Sequence, residues 1–122
     1  MPTVTDLLTA NLIDVFGNRD AVTRRAAIER IYTEDVVFTD PEGAVHGWDA
    51  LEAKAGGLLA EVPPTFVFAE DGKRYASADT GADTGALGWT FGPAGGEPAA
   101  RGIDIITVRD GRIAALHTIF AA

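Results

Sequence analysis

A chain of 122 residues with 47% apolar and 23% charged side chains is ordinary for a single domain with a real hydrophobic core. Its 18 acidic and 10 basic side chains give a formal net charge of −8, which opposes phosphate backbones and anionic lipid, so neither nucleic acid nor a membrane is an expected partner. There is no cysteine for a disulfide, a thiolate nucleophile or a metal site, and MPTVTDLL has neither a basic region nor a long apolar run, so a cytoplasmic protein is the default expectation.

The spacing of Val4, Leu7, Leu8, Leu12, Val15 and Phe16 predicts an amphipathic helix over residues 4–16. Thr3 is its expected N-cap, and Gly17-Asn18 ends it. Asp20 caps a second helix to about Tyr32, with Ala27, Ile28, Ile31 and Tyr32 inward. Arg24, Arg25 and Arg30 read as its solvated face. A strand over 35–39 has an apolar run, Val36-Val37-Phe38, that suggests cover on both sides. It stops at Asp40-Pro41, because proline cannot donate to a ladder. Gly43 and Gly47 bracket a turn, and Trp48, Leu51, Ala55, Leu58, Leu59 and Val62 mark a helix over 48–62. Gly56-Gly57 weakens that helix, and Pro63-Pro64 ends it.

The remainder reads as β. Strands are expected over 65–69 and 74–78, joined by a turn at Glu70-Asp71-Gly72-Lys73. DTGADTGA, 79–86, reads as a turn-rich loop. A strand over 87–91 centres on Trp89, and GPAGGEP, 92–98, is a connection with no following helix, so it is no phosphate loop. Two last strands, 102–109 and 112–120, flank Asp110-Gly111, a strong hairpin signal. A two-residue turn would pair Val108 with Ile113, Ile106 with Ala115 and Asp104 with His117. One face would then carry Asp104, Ile106, Val108, Ile113 and His117. The other would carry Ile103, Ile105, Leu116, Thr118 and Phe120. Helices can cover one apolar face, so the other predicts a homodimer through the sheet.

Helices followed by a run of strands make an α+β pattern. The order helix, helix, YTEDVVFTDPEG, HGWDAL helix, then strands closing in GIDIITVRDGRIAALHTIF, resembles the nuclear-transport-factor-2-like superfamily. Within it, the chain is most similar to SnoaL-like polyketide cyclases and ketosteroid isomerases. The resemblance covers nearly the whole chain and implies a single domain over 1–122. It also implies a cystatin-like fold, in which a cone-shaped curved mixed sheet wraps around N-terminal helices. An apolar pocket, a frequent sheet-mediated dimer and cofactor-independent acid–base chemistry go with it. In ketosteroid isomerases the general base is an Asp in the context held here by Asp40, and a second, protonated Asp matches Asp104 by position. The family's oxyanion tyrosine lies in the first helix, where the only aromatic here is Phe16. The strand around Trp89 lacks the Arg–Asp pair of the limonene epoxide hydrolases of this fold.

Asp40 is a candidate pocket carboxylate, or simply the start of a turn before Pro41. Asp104 sits between Ile103 and Ile105, where a charge is expensive unless paired or neutralised. With His117 it would form a catalytic pair or a structural one. Phe16, Tyr32, Phe38, Trp48 and Trp89 are candidate walls for a flat apolar ligand, and Tyr32 is a candidate for the absent oxyanion donor. His46, in the glycine-flanked loop, shapes the pocket mouth or is simply exposed. Two histidines without nearby carboxylates do not suggest a metal, and no cofactor is expected. Three functions remain open: an isomerase- or cyclase-type enzyme acting on a small hydrophobic carbonyl compound, a hydrophobic-ligand-binding module, and a dimerisation domain with a filled core.

Overall fold

The computed structural model describes residues 2–77 and 83–121. The first helix, α1 (Val4–Ala10), opens on a capping box: Thr3 Oγ1 accepts from the Asp6 amide at 3.0 Å, and Asp6 Oδ2 accepts from the Thr3 amide at 3.0 Å. It runs directly into a π-helical segment, Asn11–Phe16, where an uninterrupted α-helix was expected. Together they bury Leu7, Leu8, Asn11, Leu12, Val15 and Phe16. The second helix, α2 (Ala21–Ile31), is capped by Asp20 and hands over at Tyr32 to β1 (Tyr32–Asp40).

The turn expected between Gly43 and Gly47 is a short strand, β2 (Gly43–His46), which pairs antiparallel with the end of β1. Then follow α3 (Gly47–Glu61), β3 (Phe66–Ala76), β4 (Thr84–Pro93), β5 (Ala100–Arg109) and β6 (Arg112–Phe120). The repeat at 79–86 lies partly outside the described residues; its end, Thr84–Ala86, belongs to β4. The six described strands lie in the order β2-β1-β6-β5-β4-β3. Only the central β1–β6 pair among them is parallel, so the sheet is mixed. The strands expected over 65–69 and 74–78 are thus one strand, β3, and β2 is the strand that was not expected.

Two irregularities decide which side chains face the helices. The expected turn at 70–73 is instead a bulge within one strand: Glu70 pairs with Trp89 and Arg74 with Leu87. Gly72 bends there at φ +91°, and the Asp71 carboxylate lies over Gly88, where no Cβ would fit. The second bulge is in the closing hairpin. Val108 pairs with Ile113 as expected, but Thr107 pairs with Ala115, which leaves Ala114 extra on β6. Beyond it every β6 residue changes face. Leu116 is therefore opposite Ile106, Thr118 opposite Asp104, and His117 opposite Ile105.

The helices pack on the inner face, where Val36, Phe38, Leu87, Trp89, Ile106, Ile113 and Leu116 meet Leu8, Leu12, Ile28, Leu51 and Ala55. The arginine face of α2 is not uniformly wet. Arg24 is buried, with Nη1 donating to the Asn18 carbonyl at 2.8 Å. Gly56 makes this possible, because a Cβ there would come within 2.9 Å of Arg24 Nη2. Arg25 lies over the Trp48 ring at 6.0 Å and pairs with Glu29, Asp49 and Glu52. Arg19 donates to the carbonyls of Leu59, Pro63 and Phe66, so it fastens the end of α3 to the start of β3.

Candidate active site

A cavity of about 330 Å³ opens between α3, the first helical segment and the inner face of the sheet. That is the lower end of the ~300–1,000 Å³ common for small-molecule sites. Ala53, Lys54, Gly57, Leu58 and Glu61 form the α3 wall, with the three- and four-residue spacing of one helix face. The opposite wall is aromatic: Phe68 from β3, Trp89 from β4 and Phe120 from β6. Phe68 and Phe120 both meet the Trp89 ring edge to face, at 5.5 and 5.6 Å. Phe16 and Phe38 pack together at 5.4 Å on a third side.

Asp104 reaches this cavity from β5 and is 4% exposed. Its Oδ1 accepts from Trp89 Nε1 at 3.0 Å and from Thr118 Oγ1 at 2.7 Å. Its Oδ2 accepts from Asn11 Nδ2 at 2.9 Å, which leaves an Oδ2 acceptor position unused by these bonds. Asn11 Oδ1 in turn accepts from the Tyr32 hydroxyl. All these partners are neutral. Burial pushes the Asp104 carboxyl up to about 6 from 3.8, against the opposing pull of Thr118, Trp89 and Asn11. The Tyr32 hydroxyl is held well above its usual range, first by burial and then by the charge of Asp104.

The raised Asp104 value has a consequence for stability. A carboxyl that holds its proton more tightly when folded contributes stability fully present below about pH 4 and lost as pH rises through about 6. That loss is on the order of 3 kcal/mol. Urea unfolding of the wild-type protein and Asp104→Asn between pH 4 and 7 should show wild type losing that much relative to the variant. A pH-independent difference would contradict the buried carboxyl.

Asp40 combines the two roles open to it. Its Oδ1 accepts from the Glu42 amide at 2.9 Å, the expected turn, while Oδ2 meets Lys54 Nζ at 3.2 Å on the cavity wall. Lys54 also reaches Glu42 at 2.9 Å, and these two bonds, Glu42 foremost, hold its ammonium above the usual lysine range. Among the described lining residues Lys54 is the one cation; the acids are Asp40, Glu42, Glu61 and Asp104.

Asp40, Asp104, Phe16, Phe38 and Trp89 thus come together. The other three candidates do not join them. His117 is exposed on the outer face and cannot pair with Asp104, because the Ala114 bulge turns it away. Tyr32 is fully buried behind Asn11 and does not line the cavity. Trp48 donates to the Tyr32 carbonyl at 3.2 Å and lies outside the cavity as well. His46 is exposed at the start of α3. Sequence reasoning missed Asn11, Lys54, Thr118, Phe68 and Phe120. Asn11 had a signal: it is a polar residue at the i+4 step between Leu7 and Val15 on the buried stripe. Among the described residues, no three His, Asp or Glu side chains are grouped to hold a metal ion. No described helix is long and apolar enough to cross a membrane.

The sequence profile of the SnoaL-like domain matches residues 10–116. The chain belongs to the SnoaL-like family. Solved structures agree on the fold. A proposed isomerase of the SnoaL-like family from Agrobacterium tumefaciens superposes with a TM-score of 0.81 at 17% identity, covering 95% of each chain. A proposed SnoaL-like polyketide cyclase from Jannaschia gives 0.72 at 12% identity, over 95% of this chain and 83% of that one. A protein of ketosteroid isomerase-like fold from Catenulispora acidiphila, in complex with trimethylamine, gives 0.72 at 11% identity, over 98% and 88%. No curated protein matches this SnoaL-like chain in sequence.

Proposed function

We propose that this SnoaL-like domain performs cofactor-independent acid–base chemistry on a small, flat, hydrophobic carbonyl compound, with Asp104 as the proton-accepting group. The observation that carries this reading is the Asp104 carboxylate itself. It borders an aromatic cavity, has only neutral hydrogen-bond partners, and is poised near pH 6. Three donors on Asp104 favour its ionised form, so it accepts a proton from the carbon alpha to the carbonyl. It is not the neutral acid of the ketosteroid isomerases. In the same cavity Lys54 supplies the positive charge that an enolate oxygen needs, while Asp40 and Glu42 hold that ammonium in place.

The test is proton exchange. 2-Tetralone, a two-ring ketone with acidic α-hydrogens, is incubated with the protein in D2O and followed by NMR. Catalysed exchange should rise with pH through about 6 as Asp104 ionises. Absence of catalysis from pH 5 to 9 with 2-tetralone and other flat ketones would remove the enzymatic reading. A binding module would then take its place. That second reading is favoured by the first helix, which lacks the tyrosine that the isomerases carry there. The neighbour that holds trimethylamine is an instance of this fold with a small organic molecule bound.

Two copies of the chain are proposed to associate through the outer face of the sheet. Ile103 and Ile105 are only half-buried there, and Ile119 (43%), Val67 (46%) and Tyr75 (62%) are exposed. Sedimentation at micromolar concentration should give a dimer, and Ile119→Lys should shift it to monomer. A wild-type monomer would contradict the interface.

A further inference from the structure

Two adjacent glycines interrupt the interior of α3, and only one of them is explained by the protein. At Gly56 a side chain would strike the buried Arg24 guanidinium. At Gly57 a Cβ would meet no atom within 4 Å. Its φ is not in the left-handed region, so an alanine would fit the backbone without strain. Glycine in a helix interior is the poorer residue by about a kilocalorie per mole relative to alanine. Gly57 nonetheless lies on the cavity wall, one turn beyond Lys54, on the side opposite the aromatic wall of Phe68, Trp89 and Phe120. Gly57 is exposed to that open space, so a side chain there would stand in the open mouth of the cavity.

We infer that Gly57 is the size-selecting position of the cavity: the ligand lies with a flat ring system between the bare α3 backbone and the aromatic wall. Three observations combine here. A bare stretch of helix backbone lets a ring approach closely where any side chain would hold it off. The rings on the other side are set edge to face, so a flat ligand meets both ring faces and ring edges there. A cavity of about 330 Å³ has ample room for a bicyclic molecule, so the gap across it at Gly57, not its volume, is what selects. This rests on the cavity being the binding site of the proposed function, but not on Asp104 moving a proton.

The probes are 2-naphthol and the single-ring phenol, titrated calorimetrically into the full chain. Wild type should bind 2-naphthol the more tightly. Gly57→Ala should raise the melting temperature by a few degrees while weakening 2-naphthol several-fold. Gly57→Leu should weaken 2-naphthol by at least ~10-fold and leave phenol within ~2-fold. Ala60→Leu, an exposed α3 position off the cavity, is the control and should change neither affinity. The inference is overturned if wild type does not bind 2-naphthol. It is also overturned if Gly57→Ala, folded by its melting curve, binds 2-naphthol as wild type does. The two proposals fail separately. Slot selectivity without α-proton exchange leaves Gly57 in this role and removes the base, whereas exchange activity indifferent to Gly57 substitutions removes only the slot.

Discussion

Replacing Asp104 by asparagine is expected to slow exchange of the 2-tetralone α-protons by about 10²- to 10⁴-fold, the range a positioned general base contributes. In free energy that is about 3–5 kcal/mol of barrier. The substitution keeps the shape and removes the proton-accepting oxygen. Its carbonyl can still accept from Trp89 and Thr118 in place of Oδ1. Its new amide would face Asn11 Nδ2, donor to donor, unless the Asn11 amide turns over. Once turned, Asn11 Oδ1 accepts from the new amide and its Nδ2 donates to the Tyr32 hydroxyl oxygen, which leaves only the Tyr32 hydroxyl proton without its acceptor, at a cost of about 1–3 kcal/mol. Folding should survive that loss, and 2-naphthol binding should stay within a few-fold of wild type. Exchange that persists at the wild-type rate in a folded Asp104→Asn protein would sink the proposed role.

Asn11→Leu should be the most damaging single change to the site's scaffold. It strips Asp104 Oδ2 of a donor and the Tyr32 hydroxyl of its acceptor, and both groups are buried. Two orphaned buried polar groups cost about 2–6 kcal/mol together. The same change should move the acid limb of the exchange profile above pH 6, because the lost donor favoured the ionised carboxylate. Tyr32→Phe separates the two effects. It orphans only Asn11 Oδ1, leaves the donor to Asp104 intact, and should cost about 1–3 kcal/mol with the acid limb near its original pH. Urea unfolding and pH profiles of the two variants check this. Equal losses and unmoved limbs in both would mean that the Tyr32–Asn11–Asp104 chain does not act as a unit.

The fold was legible because each element carried its own signal. The helical stripes, the capping Thr3 and Asp20, and the Asp110-Gly111 hairpin all lie where the sequence indicates. Asp104 was legible as well, since a charge between Ile103 and Ile105 needs a physical reason. Its partners were hidden by one residue. Leu116 and Ile113 are three apart and both buried, a spacing that no regular strand allows and the sole trace of the Ala114 bulge. Counting register from the turn alone therefore gave His117 the place that Thr118 holds. β2 escaped because the three residues between Gly43 and Gly47 carry too little pattern to distinguish strand from turn. Lys54 and Gly57 read as ordinary helix residues until the opposite wall of the cavity could be seen.

The parallel pairing at the centre of the sheet governs how the molecule comes into being. β1 is made early, yet its partner across Val37–Ala115 and Phe38–Leu116 is the latest of the six described strands to leave the ribosome. Until then β1 has only the four-residue β2 beside it, with its other backbone edge unsatisfied. Such sequence-distant pairing slows folding and lengthens the exposure of a sticky edge. The cavity suffers the same delay, since Asp104, Thr118 and Phe120 all belong to the final hairpin. A nascent chain arrested before β6 therefore presents an adhesive strand and no binding site, which makes this stretch of synthesis the interval in which a chaperone has most to shield.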